Sequence, residues 1–167
     1  MSLAFTKRAD YALVALATLA QGERAGGVVS ARQIAAEHKM PQRLVTNLLK
    51  ILQQAGLVQS RRGMQGGYTL ARRAEAIAVL EVIEAVDGPV RIGQCCGEDA
   101  AEACQACRQA DHCPVTQSIQ ELNGIVVNLL RRVSILDLVE GRVSRAAARG
   151  LELFGERFPA APAVVQA

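Results

Sequence analysis

Residues 30 to 70 read S-ARQIAAEHKM-PQRLVTNLLK-ILQQAGLVQS-RRGMQGGYTL, and this stretch decides the fold. Ser30 followed by Gln33 has the form of a capping box and predicts a helix in which Ile34, Ala35 and His38 lie close on successive turns. Met40-Pro41 interrupts it, because proline lacks the N–H that an interior turn needs yet suits a first helical position. The next helix is expected over 41 to 55, with Leu44, Leu48, Ile51 and Leu52 inward and Gly56 at its C-terminal stop. Two short helices across a tight break, the second carrying Gln42, Arg43, Thr46, Asn47 and Lys50 outward, read as a helix-turn-helix. Leu57-Val58-Gln59 and Tyr68-Thr69-Leu70 then flank the basic, glycine-rich run Arg61-Arg62-Gly63-Met64-Gln65-Gly66-Gly67. Two strands on such a loop make a wing, since glycine lets the backbone turn and approach another molecule closely. Either piece alone suits many domains. Together they predict a mainly α, winged helix-turn-helix fold.

The chain has 167 residues, enough for one domain or a small one with an appendage, and half of them are apolar. With no Trp, 2 Tyr and 3 Phe it has few rings on which to stack unpaired bases, which disfavours a single-strand-binding sheet but not a duplex reader. The net charge of +3 is unevenly spread. Residues 1–75 carry 11 basic against 4 acidic side chains, residues 76–113 carry 2 against 7, and residues 114–167 carry 6 against 5. The first segment is therefore the candidate polyanion-binding surface.

Ahead of the motif, Thr6 or Ser2 can open a first helix with Leu13, Leu16 and Leu19 as an apolar stripe. Lys7 and Arg8 before the apolar run 11–20 have the outline of an export signal, but Asp10 breaks it, and a cytoplasmic protein is expected. After the motif, a helix is expected over 77–86, stopped by Asp87-Gly88-Pro89. A long one follows over 115–133, carrying Ile119, Leu122, Val126, Leu129 and Val133 at steps of three and four. So apolar a helix outside a compact domain predicts a C-terminal dimerisation helix and a homodimer, packing on the chain's own first helix being the alternative. Ser134 with Asp137 caps a short helix over 135–139. The expected organisation is a DNA-binding unit at 1–75, a cysteine-rich segment with the dimerisation helix at 76–140, and a flexible tail at 141–167.

Five cysteines, Cys95, Cys96, Cys104, Cys107 and Cys113, fall within nineteen residues. An odd, clustered set argues against a secreted disulfide framework and for a metal or redox site. Thiolates are soft donors that select iron–sulfur clusters or zinc. Structural zinc favours two close ligand pairs, and only Cys104-x2-Cys107 is such a pair, with His112 a further candidate donor. A metal-free thiol switch is the third possibility. Cys95 and Cys96 are adjacent and seldom both reach one iron, so one of them is expected to be spare. There is no nucleophile with a base and no phosphate loop, so no enzyme is expected.

The sequence resembles the family of winged-helix transcription regulators typified by the iron–sulfur assembly repressor IscR and the nitric-oxide sensor NsrR, over about residues 3–140. The carriers are Thr6-Lys7-Arg8-Ala9-Asp10-Tyr11-Ala12-Leu13, Ala55-Gly56-Leu57-Val58, the wing from Arg61 to Leu70, Ala85-Val86-Asp87-Gly88, the cysteine segment, and residues 136–139. The resemblance implies a homodimer on a palindromic operator, acting as a repressor that responds to redox state, iron or nitric oxide. It also implies a 2Fe-2S or 4Fe-4S cluster held by three cysteines between the wing-side helix and the dimer helix. Cys107 and Cys113 match the second and third of that triad, and the first falls on Cys95, or on Cys96. Where one branch of the family has a histidine three residues after the last cysteine, this chain has Thr116. The other branch takes a fourth ligand from an aspartate of the partner's first helix, and Asp10 stands at that place; an ordinary first-turn aspartate favoured by the helix dipole is the alternative. Cys104 has no counterpart.

On DNA, Gln42, Arg43 and Thr46 are expected to face base edges in the major groove, where arginine pairs with guanine and glutamine with adenine. Arg62, with Arg61, Gly63 and Gln65 around it, stands at the wing position that the family inserts into the minor groove. Lys50 and Lys7 are expected on phosphates.

Overall fold

Thr6 opens α1 (Lys7–Arg24): its Oγ1 accepts from the Ala9 N–H at 3.2 Å and donates to the Asp87 carboxylate at 2.5 Å. The computed structural model describes residues 5–24, 26–63, 66–93, 95–96 and 113–145. Helix α2 (Ala31–Glu37) follows, then α3 (Gln42–Gln54), β1 (Val58–Arg61), β2 (Gly67–Leu70), a single 3-10 turn (Ala74–Ala76), α4 (Val79–Asp87), α5 (Thr116–Arg132) and α6 (Ile135–Val139).

The α1 stripe is broader than the leucine pattern predicts. Ala9, Ala12, Ala15, Leu16, Leu19 and Ala20 are buried while Leu13 is half-buried, and the helix packs against α3, α4, α6 and β2 at once. Alanines on several sides let four neighbours approach its axis closely, which is why the pattern is weak for so central a helix.

Both expected capping boxes form. Ser30 Oγ accepts from the Gln33 N–H at 3.2 Å while Gln33 Oε1 accepts from the Ser30 N–H at 2.8 Å, and Ser134 with Asp137 repeats the arrangement at α6. Helix α3 ends on Gly56 at φ +71, with Gly56 N–H on the Gln53 carbonyl and Leu57 N–H on the Leu52 carbonyl. Helix α2 ends the same way with a residue that the sequence does not advertise: Lys39, at φ +52, takes the left-handed position, and Met40 N–H reaches the Ala35 carbonyl at 2.9 Å. In each stop the apolar residue beyond the turn, Met40 or Leu57, is buried, and that burial offsets the strain.

The inward face of α3 is Val45, Leu48, Leu49 and Leu52, with Leu44 and Ile51 only half-buried. This corrects the expected set of Leu44, Leu48, Ile51 and Leu52. The buried set follows i, i+3, i+4, i+7, the single stripe that one helix face presents to α1 and α2.

The core runs from α1 through α2 and α3 to Leu57, Val58 and Leu70 of the hairpin, and on to Ile77, Val82, Val86 and Ile135. It therefore crosses residue 75, where the sequence suggests the end of the DNA-binding unit. A second cluster of Ala9, Val79, Ile83 and Val133, with Leu129 and Leu130 against it, seats the C-terminal end of α5 on α1 and α4. The link to α6 is fixed by Val79 N–H on the Val133 carbonyl at 2.8 Å and Ile135 N–H on the Ile77 carbonyl at 2.9 Å. No described helix is long and apolar enough to cross a membrane.

Candidate nucleic-acid interface and sulfur centre

With Val45, Leu48, Leu49 and Leu52 committed inward, helical spacing leaves Gln42, Arg43, Asn47 and Lys50 of α3 exposed. Thr46 is half-buried, and its hydroxyl donates to the Gln42 carbonyl at 2.9 Å, so its proton is spent within the helix while its lone pairs remain.

The hairpin stands beside α3. Its strands pair antiparallel with Val58 opposite Leu70 and Arg61 opposite Gly67, placing Arg61 at the tip and Arg62 and Gly63 in the loop, all three exposed. Gln65 lies outside the described residues. Gly63 sits at φ +124, and a methyl group on Gly66 would fall 2.7 Å from the Arg61 carbonyl oxygen, so both glycines are required by the turn. The base of the wing is anchored from three directions. Val29 and Tyr68 exchange backbone hydrogen bonds at 3.1 and 2.8 Å, Glu23 of α1 accepts from the Leu70 N–H at 2.9 Å, and Gln53 of α3 donates to Ser60 of β1 at 3.3 Å. The last contact links α3 directly to the wing.

The sulfur residues sit at the opposite end of the chain's order. Cys96 is buried at 1% exposure, its thiol donating to the Ile119 carbonyl at 3.7 Å and its N–H to the Gly93 carbonyl at 3.1 Å. Cys95 is half-buried, and its carbonyl accepts from Gln120 Nε2 at 2.9 Å. Upstream in the same loop, Ile92 N–H donates to Asn123 Oδ1 at 2.9 Å. Cys113 lies just ahead of α5. A hydrogen bond from the Thr116 hydroxyl, then bonds from the Val115 and Thr116 backbone, hold its thiol below the ordinary range against the opposing effect of desolvation.

Asp10 is exposed in the first turn of α1. Among the described residues no three His, Cys, Asp or Glu side chains gather at metal-binding distance. Cys104, Cys107 and His112 lie outside the described residues. The sequence reading did not foresee Gln120 and Asn123; their only signal is two amides interrupting an apolar helix one turn apart.

Helix α5 spans Thr116–Arg132, within one residue at each end of the expected span, and none of its residues is buried. Its apolar seam divides. Leu129, Leu130 and the adjacent Val133 pack on the chain's own α1 and α4, whereas Leu122 is 44% exposed and Ile119, Ile125 and Val126 are half-exposed.

The model of the Rrf2 family, described as "Iron-dependent Transcriptional regulator", matches residues 5–141. The transcriptional regulator IscR of Escherichia coli O1:K1 / APEC is 31% identical over 137 residues, covering 82% of this chain and 80% of that protein. Among solved structures, T. potens IscR superposes with a TM-score of 0.64 at 26% identity, covering 85% of this chain and 90% of that one. CymR, described as the global cysteine regulator of B. subtilis, superposes with a TM-score of 0.63 at 26% identity, covering 84% and 98%.

Proposed function

Because the chain belongs to the Rrf2 family of transcriptional regulators, we propose that it is a homodimeric repressor that reads a palindromic operator and senses redox state, iron or nitric oxide through an iron–sulfur cluster. The observation that carries this reading is that two sulfur residues converge on the first two turns of α5. Thr116 holds the Cys113 thiol, and Gln120 holds the Cys95 carbonyl. Four residues of helix rise only about 6 Å, so the two side chains that hold these cysteines are about one turn apart on α5.

Cys95, Cys107 and Cys113 are the proposed ligands, with Asp10 of the partner chain as the fourth. Cys95 is preferred over Cys96 because the Cys96 thiol is buried and already engaged with a backbone carbonyl. The donor set fits the group: three thiolates suit iron, and hydrogen bonds already favour the thiolate at Cys113. Such a cluster supplies a centre whose charge and ligation change with oxidant, nitric oxide or iron supply.

Arg43 and Gln42 read base edges, Thr46 accepts from a base N–H, and Lys50 and Lys7 neutralise phosphates. Arg61 and Arg62 enter the minor groove beside Gly63 and Gln65, where narrow A·T segments concentrate negative potential. In a two-fold dimer built on the uncovered part of α5, the two recognition helices reach half-sites about 34 Å apart. A ligand drawn from the partner's α1 makes the cluster's condition a constraint on dimer geometry. Coupling of about 1–3 kcal/mol is enough to change operator affinity about 5- to 150-fold.

Anaerobic purification should yield a brown protein containing iron and acid-labile sulfide. Cys107→Ala should abolish the colour, while Cys104→Ala and Cys96→Ala retain most of it. A colourless protein with stoichiometric zinc refutes the reading. A second reading, regulation by Cys113 as a metal-free thiol switch, is favoured by the hydrogen bonds that lower the thiol pKa. It predicts that oxidant alters operator binding in iron-free protein.

A further inference from the structure

Three contacts fasten the loop that carries Cys95 and Cys96 to one turn of α5. Gln120 Nε2 donates to the Cys95 carbonyl at 2.9 Å, Asn123 Oδ1 accepts from the Ile92 N–H at 2.9 Å, and the Cys96 thiol donates to the Ile119 carbonyl at 3.7 Å. Gly93 lies close in the same place: a methyl group there would stand 3.1 Å from Ile119 Cγ2 and 3.6 Å from the Cys95 sulfur, so loop and helix are in tight contact. The loop and the helix turn are 23 to 31 residues apart in sequence. The partners also fix the polarity of each amide, since a carbonyl only accepts and a backbone N–H only donates. Gln120 must act through its NH2 group and Asn123 through its oxygen.

We propose that Gln120, Asn123 and the buried Cys96 thiol form a clasp that positions the sulfur-bearing loop on α5 and makes loop and helix move as one body. Cys96 is then an anchor rather than a ligand, which accounts for two adjacent cysteines of different burial. The clasp lies on the same turns of α5 as the uncovered apolar residues Leu122 and Val126, so a displacement of the loop is delivered to the helix at the face offered to a second copy of the chain. Gln120 and Asn123 are positioning residues: their hydrogen bonds go to the backbone of the loop, at the Cys95 carbonyl and the Ile92 N–H. The proposal rests on the reading that the cysteine loop is the sensing element, and it holds for cluster, zinc or thiol chemistry alike.

The test begins with reduced, iron-free, full-length protein. Alkylation of Cys96 by iodoacetamide and amide hydrogen exchange around Ile92 are followed in wild type, Gln120→Glu, Asn123→Ala and Asn123→Asp. Gln120→Glu keeps the shape but loses the donor, and Asn123→Ala loses the acceptor; each should speed both processes about fivefold, with exchange in α3 unchanged. Asn123→Asp keeps an acceptor oxygen and should stay near wild type. Unchanged rates in the first two variants, or equal rates in Asn123→Asp and Asn123→Ala, overturn the clasp. The second arm compares operator affinity with and without reconstituted iron and sulfide in wild type and in the Gln120→Glu/Asn123→Ala double variant. The ratio should fall toward one in the variant while iron content persists, and a ratio equal to wild type overturns the coupling role. A wild type that takes up no iron defeats the cluster reading instead, and the first arm still decides the clasp.

Discussion

At the scale of single residues, the informative feature is how few side chains set each function. Cys113 owes its acidity first to the Thr116 hydroxyl and then to the backbone at the start of α5. Because the folded pKa is depressed, the thiolate persists to lower pH than in an ordinary cysteine and is lost as pH falls through that lower value. Thr116→Val should therefore move the midpoint of Cys113 alkylation in iron-free protein upward, toward the ordinary range; an unmoved midpoint means that the hydroxyl does not hold the thiol. In the wing, Arg62 is exposed in the loop beyond β1. Arg62→Ala should weaken operator binding by about tenfold, or roughly 1.4 kcal/mol, in an anisotropy titration, and an unaltered titration removes the wing from the interface.

At the scale of elements, local chemistry was legible where it acts within a turn. The two capping boxes, Gly56 after α3 and Gly88 after α4, both at positive φ, and the span of α5 all follow from nearby residue types. Lys39 was not legible, because a lysine in the left-handed region is tolerated only through the buried Met40 that follows it. The inward set of α3 was displaced for a similar reason: Leu44 and Ile51 are as apolar as Val45 and Leu49, and only tertiary packing on α1 and α2 chooses between them. The wing offers a sharp test at this scale. Gly67 needs no unusual backbone angle, but a methyl group there would lie 2.7 Å from the Val29 carbonyl oxygen and 2.9 Å from Val28 Cγ1. Gly67→Ala should part the hairpin from its anchoring bridge and cost about 1–3 kcal/mol in thermal unfolding. A melting temperature equal to wild type contradicts this packing.

At the scale of the whole molecule, the candidate DNA-reading elements and the sulfur residues belong to parts with different support. The outward face of α3 and the wing are clipped together by Gln53 and Ser60 and rest on the main core, whereas α5 is seated on the core at its C-terminal end and, toward its start, meets the cysteine loop and leaves Leu122 exposed. The candidate readers were legible as exposed cations and amides beside a basic loop. The docking of the cysteine loop was not, because it depends on Gln120 and Asn123 meeting backbone groups far away in sequence. If the part of α5 around Leu122 is the dimer surface, Leu122→Lys should convert the protein to a monomer in sedimentation while leaving its helical content unchanged and making its melting temperature independent of protein concentration. A dimer of undiminished mass would place the interface elsewhere. The account as a whole is tested most directly by one titration, performed anaerobically on operator DNA with iron–sulfur-loaded and iron-free protein at the same salt concentration. It predicts affinities that differ at least fivefold between the two forms. Identical affinities, with iron demonstrably bound in one sample and absent from the other, would contradict it.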